Sequence, residues 1–583
     1  MRGVVVRIEE RRQDRPLESI AAVVIDAPLF SPPQDRLWEW LALRYCAPRG
    51  LTYARAVPRR VRVSPLPADD RAHALVSERL LAYPRGADLL ESIRSGDAGT
   101  WCLRTAPGED RAALVSELVA ASSGSGAALV AVPEVRYGSA ALDELMRRWP
   151  HTARIDTSLP EGQRARGWLS LATGHPVGAG GRAAVLAPSP GLRLIVVDDE
   201  HNAALKEDQA PRFDARRVAR ERARIQEAIC VLVSPTPTVE IGAARAWGRI
   251  RGVDPTRAME RRGRPTVELL EPSRGRVLSA DLHRNVGHSL AAGGRVALLA
   301  PRRGYSPTIW CRRCRRSLRC PRCESGLAYD RTTRGGSSRV RCPRCTLTAP
   351  PPDSCPSCGA VEWAYLGAGS ERLAEQVRKA WPRAKVARAD PDEERQKQGE
   401  KPPDIYVTTW FGTKPVLRPD VSMVAVLDAD ALIHRPDFRA AEHAYQALAE
   451  MAQWAGPASN GGRLVVQTSE PGHHAIQAVA RADYGFFLSR ELELREELGY
   501  PPFSELIELR SSGEGSTPLM DAAVKASQDE GARVLGPAPV AERPGDLRAL
   551  IKCQDAAVVA TRLRDILAGA PRGTRLRVDV DPR

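Results

Sequence analysis

Long apolar runs are missing from this 583-residue chain. No stretch reaches the roughly eighteen apolar residues that a membrane-spanning helix needs, so none is predicted. The opening Met1-Arg2-Gly3-Val4-Val5-Val6-Arg7 is too short in apolar residues for a signal peptide. These two absences predict a cytoplasmic protein with no membrane partner. Lysine is scarce, with 8 Lys among 86 basic residues, and so is Phe, with 7. Against that scarcity Ala, Arg, Gly and Pro abound, a bias of GC-rich coding, so arginine content alone does not argue for any function. Hydrophobic residues at 43% and charged residues at 27% exclude a wholly disordered chain. At roughly 100–200 residues per domain, the length predicts about three to five domains.

Where the arginines fall is more informative than their number. Residues 302–344 hold 13 Arg against two acids, Glu324 and Asp330, or +11 of the total +15. Such a local patch is the footprint of phosphate-backbone binding. The candidate DNA contacts are Arg312, Arg313, Arg315, Arg316, Arg319 and Arg322. The overlapping window 311–358 carries eight of the twelve cysteines as four C-x-x-C pairs. The others, Cys46, Cys102, Cys230 and Cys553, lie in apolar settings and read as buried small hydrophobes. In a cytosolic chain paired knuckles read as metal sites, because two-residue spacing lets both thiolates reach one ion and four complete a tetrahedron. Eight ligands predict two Zn²⁺ ions. Spacing favours a nested arrangement, Cys320, Cys323, Cys342 and Cys345 inside Cys311, Cys314, Cys355 and Cys358, with a crossed pairing left open. Both sites are closed and therefore structural.

Elsewhere short apolar strands alternate with helical patterns, which predicts parallel α/β sheets covered on both faces. One set includes Trp101–Leu103, 127–134, Ala183–Ala187, Leu192–Val197 and Ala228–Ser234, and the other Arg295–Leu299, Lys385–Ala389, Ile405–Thr408, Met423–Leu427 and Leu464–Gln467. Two such lobes in one chain suggest a nucleotide-dependent motor. Val197-Asp198-Asp199-Glu200-His201 looks like a Mg²⁺-binding acidic motif at a strand end, and the Ser234-Pro235-Thr236-Pro237 segment looks like the lobe-coupling motif of superfamily 2 helicases.

With Arg302-Arg303-Gly304-Tyr305-x-Pro307, the four knuckles, Leu366-Gly367-x-Gly369-x-Glu371, Asp428-x-Asp430, Asp437-Phe438-Arg439-x-x-Glu442, Tyr500-Pro501-Pro502-Phe503 and the terminal Val578-Asp579-Val580-Asp581-Pro582, the chain resembles the PriA family of bacterial primosomal helicases over nearly its whole length. The departures suggest an actinobacterial type with degenerate ATP motifs. The resemblance implies the nested zinc arrangement and an α/β fold. That fold has two RecA-like helicase lobes with a zinc-binding insertion, a small β-rich N-terminal domain and an α+β C-terminal domain. The expected domains are 1–60 (N-terminal DNA-binding, shortened or preceded by a missed start), 61–98 (linker with little left of a winged helix), 99–280 (lobe one), 281–310 with 359–487 (lobe two), 311–358 (zinc module) and 488–583 (C-terminal).

The family's phosphate loop, Gly-Ser-Gly-Lys-Thr, matches Ala106-Pro107-Gly108-Glu109-Asp110 here. Glu109 replaces the Lys, Asp110 the Thr, and Pro107 removes an N–H donor. A carboxylate about 4 Å from a phosphate charge costs on the order of 4 kcal/mol per pair at an effective dielectric near 20. The family's Gln-x-x-Gly-Arg-x-Gly-Arg motif matches Glu450–Pro457, with Trp454 and Pro457 in place of both arginines. Around Lys414 the family's glycine-bearing pattern is missing too. Asp198 and Glu200 remain, and Asp198–His201 then read as a structural remnant. The chain is therefore expected to bind forked and single-stranded DNA and to support replication restart without helicase activity, using two Zn²⁺ and neither ATP nor Mg²⁺. The resemblance implies primosome proteins, the replicative helicase or its loader and single-stranded DNA-binding protein as partners, in nucleoid-associated cytoplasm. Two alternatives stay open: an active ATP-dependent 3′-to-5′ helicase, and a zinc-dependent protein-interaction scaffold.

Overall fold

Apolar runs of a few residues, closed by Gly, Pro or acidic positions, become the strands of two parallel sheets. The computed structural model describes residues 29–59, 64–67, 78–135, 138–273, 278–300, 308–314, 316–322, 326–330, 338–342, 347–366, 370–388, 402–409, 419–435, 437–540, 545–571 and 573–582. The first sheet holds β1 (Gly99–Arg104), β2 (Ala127–Ala131), β3 (Ala153–Arg154), β4 (Val177–Gly180), β5 (Leu192–Val197), β6 (Ile229–Ser234) and β7 (Arg251–Val253). Its order is β3-β4-β2-β5-β6-β1-β7, every neighbouring pair parallel. β2 and β6 are buried at every residue because helices cover both faces.

The run Ala183–Ala187, expected as a strand, is instead a 3₁₀ turn, Arg182–Leu186. The neighbouring strand is β4, whose Val-Gly-Ala-Gly sequence carries little β propensity. Small residues are required there: a Cβ on Gly178 would lie 2.7 Å from side-chain atoms of Leu129 and of Leu171. The displaced turn does other work. The Leu186 carbonyl accepts from Gln34 Nε2 at 2.9 Å and Trp38 Nε1 at 3.2 Å. These bonds anchor the helix Pro32–Arg44, whose apolar face (Leu37, Trp38, Leu41) is fully buried. The β pattern expected in residues 1–28 lies outside the described residues.

The second sheet begins with β8 (Thr266–Leu270) and β9 (Val296–Ala300). The chain then leaves for the cysteine module: β10 (Thr308–Cys311), β11 (Ala328–Asp330), β12 (Arg339–Arg341), β13 (Thr348–Ala349) and β14 (Trp363–Leu366). β10 pairs with β14 and β11-β12-β13 form a small antiparallel sheet around Ile309, Leu318, Cys320, Leu327, Val340 and Cys342. The chain returns through β15 (Val386–Arg388), β16 (Ile405–Thr409), β17 (Met423–Val426) and β18 (Arg463–Gln467). The parallel order is β15-β16-β9-β17-β18-β8, so β8, although it precedes residue 281, is an outer strand of the second sheet.

Last come β19 (Glu505–Ser512), β20 (Arg533–Pro539), β21 (Leu547–Cys553) and β22 (Arg575–Val580), an antiparallel sheet in order β20-β21-β19-β22. The helices Ser516–Asp529 and Ala556–Ala568 cover one face, where Ile507, Leu509, Met520, Ala549, Ile551 and Leu563 pack. Charged ties hold this sheet to the first lobe. Arg44 and Arg217 share Glu505 and Asp581, and Lys206 Nζ reaches Asp579 at 3.0 Å and the Val580 carbonyl. No described helix is long and apolar enough to cross a membrane.

Candidate nucleotide cleft and cysteine centre

β1 delivers the chain to the Ala106–Asp110 loop, and the helix Arg111–Ser122 leaves it. Asp110 caps this helix by accepting from Ala113 N at 3.1 Å. An acid there suits the positive end of the helix dipole. It also places negative charge where a phosphate would otherwise sit. Glu109 is already engaged: one oxygen takes Arg79 at 2.9 Å and the other accepts from Tyr83 Oη at 3.1 Å. Tyr83 Oη in turn accepts from Ala106 N at 2.9 Å. An amide that could face an anion is thus spent on a neighbouring phenol. Gly263, closing the helix Arg257–Gly263, comes so near that a Cβ on it would lie 1.9 Å from the Pro107 carbonyl.

Opposite the loop, β5 ends in Asp198-Asp199-Glu200. Arg111 grips the first two, Nε to Asp198 Oδ1 at 3.0 Å and Nη2 to Asp199 Oδ1 at 3.2 Å. All three acids are buried. Asp199, at φ 55°, turns both carboxylates toward the same cation. Burial works against its charge, but Arg111 holds its carboxyl below the usual range, while burial pushes the Asp198 carboxyl up. Glu200 points elsewhere, accepting from Thr238 Oγ1 at 2.6 Å and Thr238 N at 2.9 Å. Burial raises its pKa to about 7. His201 turns away from solvent toward Ser234 Oγ at 2.8 Å.

The helix Ala440–Ala455 supplies the far wall. Trp454 is 2% exposed and donates to Glu450 Oε1 at 3.2 Å. Pro457 starts a 3₁₀ turn. The crevice lined by Pro107, Thr236, Ala449, Ala452, Gln453 and neighbours holds about 60 Å³. These residues do not fit a magnesium-bound triphosphate. Both loop acids repel it, and Arg111 holds the carboxylates that would face the metal. Lys414 lies outside the described residues.

The lobes meet through a buried ion network. Arg439 binds Glu240 at 2.5 Å and Glu442 at 3.0 Å, and Arg495 binds Glu442 at 2.8 Å and Glu491 at 2.9 Å. Glu442 also accepts from Val239 N at 2.9 Å. Phe438 lies under Arg439 and stacks on Tyr500 at 4.7 Å, and Lys552 of β21 covers the other face of Tyr500 at 3.4 Å. The Asp-Phe-Arg-x-x-Glu and Tyr-Pro-Pro-Phe motifs therefore meet in one cation–π stack joining both lobes to the C-terminal sheet. Sequence reasoning used these motifs only as resemblance. Arg111, Glu240 and Arg495 it missed, because an arginine in an arginine-rich chain has no local signature.

In the cysteine module the structure brings together Cys311, Cys314, Cys355 and Cys358, whose sulfurs all lie within 4.8 Å of one another. The closest separations are 3.5 Å for Cys311–Cys358 and 3.7 Å for Cys314–Cys355. A tetrahedron with metal–sulfur bonds of about 2.3 Å has edges of about 3.8 Å, so these four thiols could hold a metal ion and suit zinc. Cys320 and Cys342 are buried nearby, whereas Cys323 and Cys345 lie outside the described residues, as does Arg315. Arg312, Arg313, Arg316, Arg319 and Arg322 are all exposed.

Two family models match this chain: a 3′ DNA-binding domain (3′BD) of PriA over residues 1–58 and a primosomal protein N C-terminal domain over residues 496–583. Curated relatives described as "Replication restart protein PriA" match over most of the chain. The Bacillus subtilis relative is 30% identical over 393 residues, covering 64% of this chain and 48% of its own length. That of Synechocystis is 30% identical over 494 residues, covering 78% and 58%. That of Treponema pallidum is 30% identical over 474 residues, covering 77% and 72%. The chain spans about half to three-fifths of the length of the first two.

Proposed function

This chain belongs to the PriA family of replication restart proteins, and from that premise we propose that it binds forked DNA and supports primosome assembly without hydrolysing ATP or unwinding. The observation that carries the reading is the loop at the end of β1, where Glu109 and Asp110 stand in place of Lys and Thr and Arg111 is committed to Asp198 and Asp199. A motor needs its cation on the loop and its acids free for the metal. Here both are used internally.

DNA recognition would rest on phosphate contacts from the arginines of the cysteine module, the exposed Arg312, Arg313, Arg316, Arg319 and Arg322 together with Arg315, and on the N- and C-terminal regions that the family models match. In this reading the module carries two Zn²⁺, with Cys320, Cys323, Cys342 and Cys345 as the second ligand set. Zinc would supply folding energy and no chemistry, because four thiolates leave no open coordination position. The division into two helicase-like lobes around the module, with N- and C-terminal domains, belongs to the same proposal. Single-stranded DNA, single-stranded DNA-binding protein and the replicative helicase or its loader are the proposed partners, in nucleoid-associated cytoplasm.

Fork binding dominated by phosphates must weaken steeply with salt. The test pairs fork binding over a salt series with ATP hydrolysis in the presence and absence of the fork. Salt-sensitive binding without hydrolysis is the expected result. DNA-stimulated hydrolysis would instead make this an active helicase.

A further inference from the structure

The cleft has exchanged its charges between walls. The family motifs place cations at the positions of Glu109, Trp454 and Pro457, and acids at Asp198 and Glu200. In this chain the cation stands one residue after the loop, at Arg111, and the lobe-two wall offers an acid, Glu450, fixed by the Trp454 indole at 3.2 Å. Arg111 already neutralises two buried carboxylates at 3.0 and 3.2 Å. Its guanidinium keeps its charge firmly, against burial, through Asp199, Asp198 and then Glu450. The same helix of lobe two presses Ala449, Ala452 and Gln453 against Pro107 across the small crevice.

We propose that Arg111 permanently occupies the place between Asp198 and Asp199 where a motor would hold its metal ion. This rests on the reading that no nucleotide is used. A guanidinium is planar, always charged and presents a fork of donors, so it can serve two carboxylates at once as a hydrated ion would. Unlike an ion it cannot dissociate. Asp198 and Asp199 would then stay closed to a metal ion through every encounter with DNA.

The probe is Mn²⁺ alone, without nucleotide, added to the zinc-loaded full chain and followed by paramagnetic resonance. Wild-type protein is expected to bind no Mn²⁺ at Asp198 and Asp199. Arg111→Ala is expected to gain one site, at least about tenfold tighter than any in wild type, and Asp198→Asn in that background is expected to remove it. Arg111→Lys retains the charge and is expected to stay closed to Mn²⁺.

Wild-type Mn²⁺ binding that Asp198→Asn abolishes would overturn the occupancy, whether or not any variant folds. Folded Arg111→Ala without a new site would overturn it as well, and should that variant not fold, Arg111→Gln takes its place in every comparison. ATP turnover is measured separately, so a failure of the functional reading remains distinguishable from a failure of this one.

Discussion

Glu442→Gln is the substitution whose cost the structure sets most directly. Glu442 is 1% exposed and lies between Arg495 at 2.8 Å and Arg439 at 3.0 Å. Glutamine keeps the shape and can still accept from Val239 N, but it removes the anion between two largely buried guanidiniums. Each arginine retains another carboxylate, Glu240 for Arg439 and Glu491 for Arg495. Unpairing a buried ion costs about 3–5 kcal/mol, and the retained partners place this loss near the lower end, at about 3 kcal/mol. Urea unfolding of the zinc-loaded chain, followed by tryptophan fluorescence, measures it.

The pH dependence has a definite sign. Burial opposes ionisation of Glu442, but Arg495 and Arg439 hold its carboxyl far below the ordinary glutamate range. A carboxyl lowered on folding contributes stability above its unfolded pKa and loses it as pH falls toward its folded one. The gap between wild type and variant should therefore be complete at about pH 6 and narrow below about pH 4. A cost under about 1 kcal/mol, the worth of one neutral hydrogen bond, would refute this reasoning, as would a gap that acid leaves unchanged.

Glu200 carries the opposite sign: burial raises its pKa to about 7, so its charged form costs stability as pH rises from 4.5 through about 7. Glu200→Gln should flatten that stretch of the stability curve, by up to about 3 kcal/mol, in urea melts at stepped pH. Cys311→Ser should lower the metal content by one ion per chain in elemental analysis, and should weaken fork binding by loosening the β10–β14 pair. Replacing Arg312, Arg313 and Arg316 together by Ala should lower fork affinity and reduce the slope of log affinity against log salt by about 0.9 for each phosphate no longer neutralised. Full affinity in that triple variant would place the DNA contacts elsewhere.

Much of the architecture was legible because buried parallel strands are apolar at every position. β2, β6 and β9 could be read from Ala127–Ala131, Ile229–Ser234 and Val296–Ala300 directly. β4 could not, because Val-Gly-Ala-Gly is chosen for the room left by Leu129 and Leu171, a demand no local pattern reveals. Nor could β8, half-exposed at the edge of the second sheet, announce which lobe it joins. In the cleft the lost residues could be read one by one, since Glu109, Asp110, Trp454 and Pro457 each differ in charge or shape from what a triphosphate needs. The gained ones could not. Arg111 means something only once folding sets it against Asp198 and Asp199, and Arg495 only beside Glu442, 53 residues away.

One assay bears on the central claim more directly than any other: ATP hydrolysis by the zinc-loaded full chain, with and without forked DNA at a concentration shown to saturate it. The account predicts fork binding with no hydrolysis above that of Asp198→Asn protein. Turnover stimulated by the fork and abolished by Asp198→Asn would contradict it.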